Sequence, residues 1–368
     1  MSLNNTFVFD RFENEAFFCG TAGLAESFRD EIKSLLSLAL EQAPAGFLPV
    51  WLRFHVSDAA NQENILRECV DSFGLTSAVA VTGQAPCAPA HAGLEAYFIS
   101  GAEITSCGNG VEVLCGSYRQ RYFNTRTLTT SGSAAQMHEE FENAEKVIAS
   151  CGGTIAENLH RTWIYCRDID NNYSGLVEAR KAFFDQRGLT VDTHYITSTG
   201  IEGVCGVPGR LVRMDSFALF GHKEEQIQYL HAPEMLSPTH IYGVTFERGT
   251  RIIYGDRSCY YISGTASIDK AGNVVHEGDV VRQTRRLLEN VAALLENGGG
   301  KLDDLRQAVI YLRDPADAEK VNAVLEKYLP AHTARLMVRG SICRPAWLVE
   351  MDAIAVNSCG NAAFANMR

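Results

Sequence analysis

QAVIYLRD, residues Gln307–Asp314, reads as a β-strand that stops at an aspartate able to cap whatever follows. The same shape occurs twice earlier, as VWLRFHVSD (Val50–Asp58) and RTWIYCRD (Arg161–Asp168), which sets Asp58, Asp168 and Asp314 in register. Working outward, each strand is followed by a helical stretch: NQENILRECVDSF, SGLVEARKAFFDQ and DAEKVNAVLEKYL. Each is preceded by another: AESFRDEIKSLLSLALEQA, HEEFENAEKVIASCGG and VVRQTRRLLENVAALLENGGG. In the last of these, Leu287, Val291, Leu294 and Leu295 recur on one face, and glycines stand just past the end.

The outer parts repeat as well. FFCGTAGL (Phe17–Leu24), LTTSGSAA (Leu128–Ala135) and YYISGTAS (Tyr260–Ser267) each read as a short strand breaking into a tight turn. Each copy closes with a strand, a turn containing Cys and Pro, and a last strand, which aligns Cys87, Cys205 and Cys343. The Asp-to-Cys spacing is 29 residues in copies one and three (58 to 87, 314 to 343), and copy two holds eight more (168 to 205).

Five element types in one order, three times, predict a triplicated β–α–β–α–β–β unit. Such a unit has two helices on one face of its sheet and leaves the other face to be covered. Three linked copies can cover one another, so the expected fold is α+β, a pseudo-trimer with sheets facing inward. The expected units are 1–118, 119–238 and 239–368. The aspartates after the central strands read as helix or turn caps.

Composition narrows the function classes. The formal net charge of −11 argues against a nucleic-acid footprint, and 46% hydrophobic with 21% charged residues is a globular balance. The sequence has no bilayer-spanning apolar run, and MSLNNTFVFD lacks the zones of a signal peptide. The 11 cysteines form no Cys-x-x-Cys pair and no Cys/His cluster with ligand spacing, so neither metal nor cofactor is expected, and reduced thiols in a cytoplasm are.

The third copy, through SGTASI, LLENVAALLENGG, VIYLRDPADAEKVNAVLEKYLPAH and LVEMDAIAV, resembles the YjgF/RidA family over about 110 residues. That resemblance implies chorismate-mutase-like subunits, ligand clefts between neighbours and deamination of reactive 2-imino acids. It puts the family's carboxylate-binding arginine on Arg335, its last-strand glutamate on Glu350 and its second-helix asparagine on Asn322. The whole chain resembles the chorismatases, through RTWIYCRDI, ARKAFFDQR, ISGTASI and SICRPAWLVEMDAIA. Those enzymes join three such units and cleave the enolpyruvyl ether of chorismate to pyruvate and a hydroxybenzoate or dihydroxycyclohexadiene acid.

On the sequence, only the third copy keeps both charged residues. The place of Glu350 aligns with Glu95 and Arg213, and that of Arg335 falls near Ser77 and Thr193. Strand alternation puts Arg335 with Arg339 and Glu350 with Asp352 on shared faces, either as solvated cross-strand pairs or as a site. Arg161 reads either as an edge arginine over an aromatic or as a clamp for a second carboxylate at the boundary of units two and three. Cys343 is either a small turn residue or part of the site lining. Glu350 is thus the candidate proton donor, with Arg335, Arg161, Arg339, Asn322 and Cys343 as substrate-binding candidates. Three readings stay open: a chorismatase-like enzyme, an imine or enamine deaminase, and a non-catalytic small-carboxylate binder. In all three the expected partner is a small anionic carboxylate, not nucleic acid or membrane, and the chain is expected to be monomeric with internal three-fold packing.

Overall fold

The computed structural model describes residues 8–9, 14–125 and 128–367, so the N-terminal MSLNNTFVFD, which lacks the zones of a signal peptide, lies almost wholly outside the described residues. The first sheet holds β1 (Val8–Phe9), β2 (Glu15–Thr21), β3 (Phe47–Val56), β4 (Ala78–Gly83) and β5 (Ala92–Ser100), with helices α1 (Phe28–Gln42) and α2 (Ala59–Ser72). The second holds β6 (Glu103–Cys107), β7 (Gly110–Cys115), β8 (Tyr118–Asn124), β9 (Leu159–Cys166), β10 (Thr197–Glu202) and β11 (Val212–Phe220). Its helices are α3 (Ser133–Ser150), the single turn α4 (Ile155–Asn158) and α5 (Ile169–Asp185). The third holds β12 (Ile227–Tyr229), β13 (Gly249–Ile253), β14 (Ser258–Ala266), β15 (Leu305–Leu312), β16 (Ala334–Arg339) and β17 (Val349–Asn357), with α6 (Val280–Asn297) and α7 (Ala318–Tyr328).

The inner strand order is the same in each sheet: β2-β5-β3-β4, β8-β11-β9-β10 and β14-β17-β15-β16. The units are therefore three copies of one α+β topology. The hairpin β6–β7 pairs into the second sheet through β8, and β12 pairs into the third through β13. Residues 103–115 and 227–229 thus belong to the sheets that follow them, not to the units the sequence put them in.

Local chemistry accounts for the helix ends. Asp58 caps α2 by accepting from Asn61 N, Asp279 caps α6 by accepting from Arg282 N, and Asp314 accepts from Ala316 N. Asp168 occupies the N-cap of α5 in a left-handed conformation and instead binds the Asn171 side chain. LTTSGSAA is not the strand its sequence predicts: it leads into α3 and forms its first turn, and the strand of that copy is β8, upstream. The Glu139 carboxylate on α3 accepts from the backbone N–H groups of Thr129 and Thr130, tying this threonine-rich stretch to the helix.

The sheets face a common centre. Trp51 of the first unit packs 5.5 Å from Tyr122 and 6.2 Å from Trp163 of the second, and Phe217 packs 5.0 Å from Tyr261 of the third. Docking is cyclic. Strand β4 lies on β7 and β8, β10 lies on β13 and β14, and β16 lies on β2 and β5. This direction of packing decides which side chains can meet.

Candidate active site

The cleft that matters lies where β10 of the second unit docks on β14 of the third. Thr197 and Thr250 share a hydroxyl contact of 2.5 Å, and Ser198 N donates to Ser263 Oγ at 2.9 Å. The pairing of β14 with β17 slips between Ile262 and Thr265, leaving Ser263 and Gly264 as an extra step opposite the start of β17. Bulges of this kind re-aim side chains at sites. Here the bulge makes room for Glu350. A Cβ on Gly264 would sit 2.2 Å from Glu350 Oε1, so only glycine fits with the carboxyl in place.

Glu350 is buried, 5% exposed, in a cleft formed by α5, β10, β14 and the segments preceding β13 and β17. Helix α5 contributes Tyr173 and Arg180, β10 contributes Ser198, and the segment before β13 contributes Tyr242, Phe246 and Arg248. Cys343 and Trp347 close the wall, with the Trp347 indole donating to Ser267 O at 2.9 Å. Burial pushes the Glu350 carboxyl up to about 8, helped by the neighbouring Asp352 and opposed by Arg248 and Arg161. At neutral pH it is a carboxylic acid. Burial likewise pushes the Cys343 thiol up to about 12, so it stays protonated and is no nucleophile.

The two arginines give the cleft its character. Arg180 is 1% exposed and Arg248 5%. Arg180 Nε donates to Thr245 Oγ1 at 3.2 Å, while its Nη2 has no partner among the described residues. Arg248 donates to Ser237 O through Nε and Nη2 and stacks over Tyr242 and Phe246. Neither forms an ion pair among the described residues. A buried cation without a counterion costs several kcal/mol, so two such guanidiniums lining one cleft favour an anionic ligand there.

The structure brings only part of the expected constellation together. Glu350 and Cys343 share the cleft. Arg161 lies behind it, fully buried, 2.6 Å from Thr199 Oγ1 and 3.2 Å from Asp352 Oδ2, with its guanidinium over Trp163. Arg335 does not face Glu350. It stands 4.0 Å from Glu326 on α7, and Asn322 donates to the same Glu326 carboxylate at 3.0 Å. Arg339 lines a separate groove with Asp58, Arg167 and Glu202.

Cyclic docking explains the separation. β16 carries Arg335 towards the first unit, whereas Glu350 faces the second. Arg335 pairs with Ala308, six residues before Asp314; the residues so placed before Asp168 and Asp58 pair with Ser198 and Val79. Those replace Thr193 and Ser77 as its counterparts. Glu350 pairs with Tyr311, three residues before Asp314; the same offset gives Arg213 and Gly93. Glu95 is instead the counterpart of Asp352 and Asp215, and its carboxylate takes Arg53 at 2.8 Å near the centre. At Gly93 a side chain would have to displace Leu336, whose Cδ1 lies 2.8 Å from where a Cβ would be.

Arg180 and Arg248 were missed as site residues. Arg180 sits within ARKAFFDQR, but helical periodicity cannot tell an arginine aimed at a neighbouring unit from one in solvent. Arg248 follows a segment that has no counterpart in the other copies.

The fold and cleft define a three-unit α+β chain with a carboxylic acid and two unpaired arginines at one unit boundary. Residues 252–357 match the family model described as endoribonuclease L-PSP. The chain is 38% identical over 96 residues to the 3-aminoacrylate deaminase RutC of Acinetobacter baylyi, a stretch covering 26% of this chain and 76% of that protein. It belongs to the YjgF/RidA family. A chorismatase crystal structure superposes with a TM-score of 0.68 at 19% identity, covering 96% of this chain and 100% of that one. A YjgF-family protein of Neisseria meningitidis matches at 25% identity over 36% of this chain and 94% of its own, with a TM-score of 0.27. No helix among the described residues is long and apolar enough to cross a membrane.

Proposed function

We propose that this cleft binds a small dicarboxylate enol ether and hydrolyses it as a chorismatase does, with Glu350 as proton donor. The observation that carries the reading is a buried carboxylic acid beside two buried arginines that have no counterion among the described residues. Chorismate has two carboxylates, and Arg180 and Arg248 can each take one through charge-assisted hydrogen bonds. Glu350 then gives its proton to the terminal methylene carbon, leaving an oxocarbenium ion. Water adds to the ether-bearing carbon of that ion, the hemiketal passes its hydroxyl proton to the ring oxygen as it expels the ring alcohol, and the proton lost by water returns to Glu350. The products are pyruvate and the ring diol. Sharing the chorismatase fold over 96% of the chain supports this reading.

A deaminase reading draws on the similarity to RutC, which needs water positioned at an imine carbon. Against it, among the described residues the cleft of Glu350 lacks the family's arginine, since Ser198 faces Glu350 where Arg335 would stand. Incubating the protein with chorismate and measuring pyruvate tests the proposal, with a 2-imino acid generated in situ as the parallel substrate. Pyruvate release is expected; accelerated loss of the imino acid with no pyruvate would overturn it.

Two further results are expected of this site. Because the acid form is the donor, turnover should be flat below pH 8 and fall about tenfold per pH unit above it, as Glu350 ionises. A pH–rate profile with no alkaline limb near 8 would contradict this. Gly264→Ala should leave the protein folded yet reduce turnover by roughly 10- to 100-fold, because the new methyl displaces the donor carboxyl. Steady-state kinetics with a thermal melt as control checks it.

A further inference from the structure

Glu350 and Asp352 are two residues apart on β17, on one face, and both are buried. Their surroundings differ sharply. Asp352 Oδ2 accepts from Thr199 Oγ1 at 2.9 Å and Tyr311 Oη at 3.0 Å, with Arg161 Nη2 at 3.2 Å. The Glu350 carboxyl has no hydrogen-bond partner among the described residues. Thr199 is the junction: it also accepts from Arg161 Nη2 at 2.6 Å and from Gly264 N at 3.0 Å. With both of those donors spent on its oxygen, its own hydroxyl hydrogen goes to Asp352. Arg161 and Thr199 belong to the second unit, and Asp352, Tyr311 and Gly264 to the third.

From this asymmetry we infer that Asp352 is a positioning residue that keeps the cleft glutamic acid protonated, and that the second unit sustains it. Two buried carboxyls on one strand face cannot both ionise cheaply; burial raises the Asp352 carboxyl too, but Arg161 and the Thr199 hydroxyl oppose that rise, so the one with three donors takes the negative charge and the other keeps the proton. The charged and titratable groups facing Glu350 are Asp352 from its own strand, Arg161 from β9, Arg248 from the segment before β13, Tyr173 and Arg180 from α5, Tyr242 and Cys343. Of these only Asp352 is a carboxylate, so it is the group whose removal lowers the affinity of Glu350 for its proton. The site is then built across a unit boundary twice: once for its arginine and once for its proton.

The inference rests on Glu350 as the proton donor, so its test includes a readout that does not use turnover. In protein labelled with ¹³C at the glutamate carboxyls, the Glu350 resonance is assigned by its loss in Glu350→Gln and titrated by NMR. Asp352→Asn should move the Glu350 titration to lower pH by about one unit. The alkaline limb of the rate profile should move with it, so that the ratio of turnover at pH 8 to turnover at pH 6 falls below that of wild type. Thr199→Val, which removes one donor from Asp352, should move both in the same direction by less, and it serves if Asp352→Asn does not fold. A Glu350 titration unmoved in the variants, or a loss of turnover equal at every pH, overturns the inference. If Glu350→Gln keeps full activity while the titration still moves, the assignment of the proton donor falls and the coupling stands.

Discussion

Glu350→Gln lowers turnover of the true substrate by roughly two to four orders of magnitude, the usual cost of losing a positioned general acid, while the protein stays folded. The amide is isosteric and removes no hydrogen bond from the described structure. A stability measurement separates loss of chemistry from loss of fold. The folded protein holds the Glu350 proton up to about pH 8, whereas the unfolded chain releases it near its ordinary value of 4.5. Between those values the native state binds more protons than the unfolded one, so this residue makes stability decline as pH rises, with no further loss above 8. The Gln variant lacks that slope. Its melting temperature should match wild type near pH 4.5 and exceed it increasingly towards pH 8. Wild-type turnover in the well-folded variant would remove Glu350 from the mechanism.

The second large effect is on the arginines. Arg180→Ala and Arg248→Ala should each reduce kcat/KM by about 10- to 100-fold, the value of a charged hydrogen bond of about 1.5–3 kcal/mol. Arg335→Ala and Arg339→Ala should stay within about threefold of wild type, because neither reaches the cleft of Glu350. Arg180 is buried without a counterion, so Arg180→Ala should not lower the melting temperature of the free protein, though it should abolish stabilisation by a bound dicarboxylate. Kinetics and melts with and without ligand read both effects. The reverse pattern, with Arg335→Ala crippling and Arg180→Ala silent, would move the site to the boundary of units three and one and favour the deaminase reading.

Much of the fold was legible because it rests on local signals repeated three times. Asp58 and Asp168 stand at the N-caps of α2 and α5, Asp314 caps the 3-10 turn that leads into α7, and α6 follows its leucine stripe to the glycines at 298–300. Where a local signal was ambiguous, the reading slipped. LTTSGSAA has strand-like threonines, but Glu139 binds their backbone N–H groups to the helix. Aligned by sequence, Glu95 falls at the place of Glu350. Counting back from the aspartates along the pairing register makes it the counterpart of Asp352.

The triplication, the α+β unit and the inward-facing sheets follow from the sequence alone. These depend on periodicity, caps and turn residues, which act between neighbours in the chain. Only the tertiary structure decided which cations Glu350 meets. The hand of the cyclic docking sends Arg335 to the first unit and brings Arg180 of the second to Glu350, and no pattern within one unit records that hand. It also decided the state of the glutamate, since a carboxyl becomes an acid at neutral pH through burial and through Asp352, whose three donors come from two units.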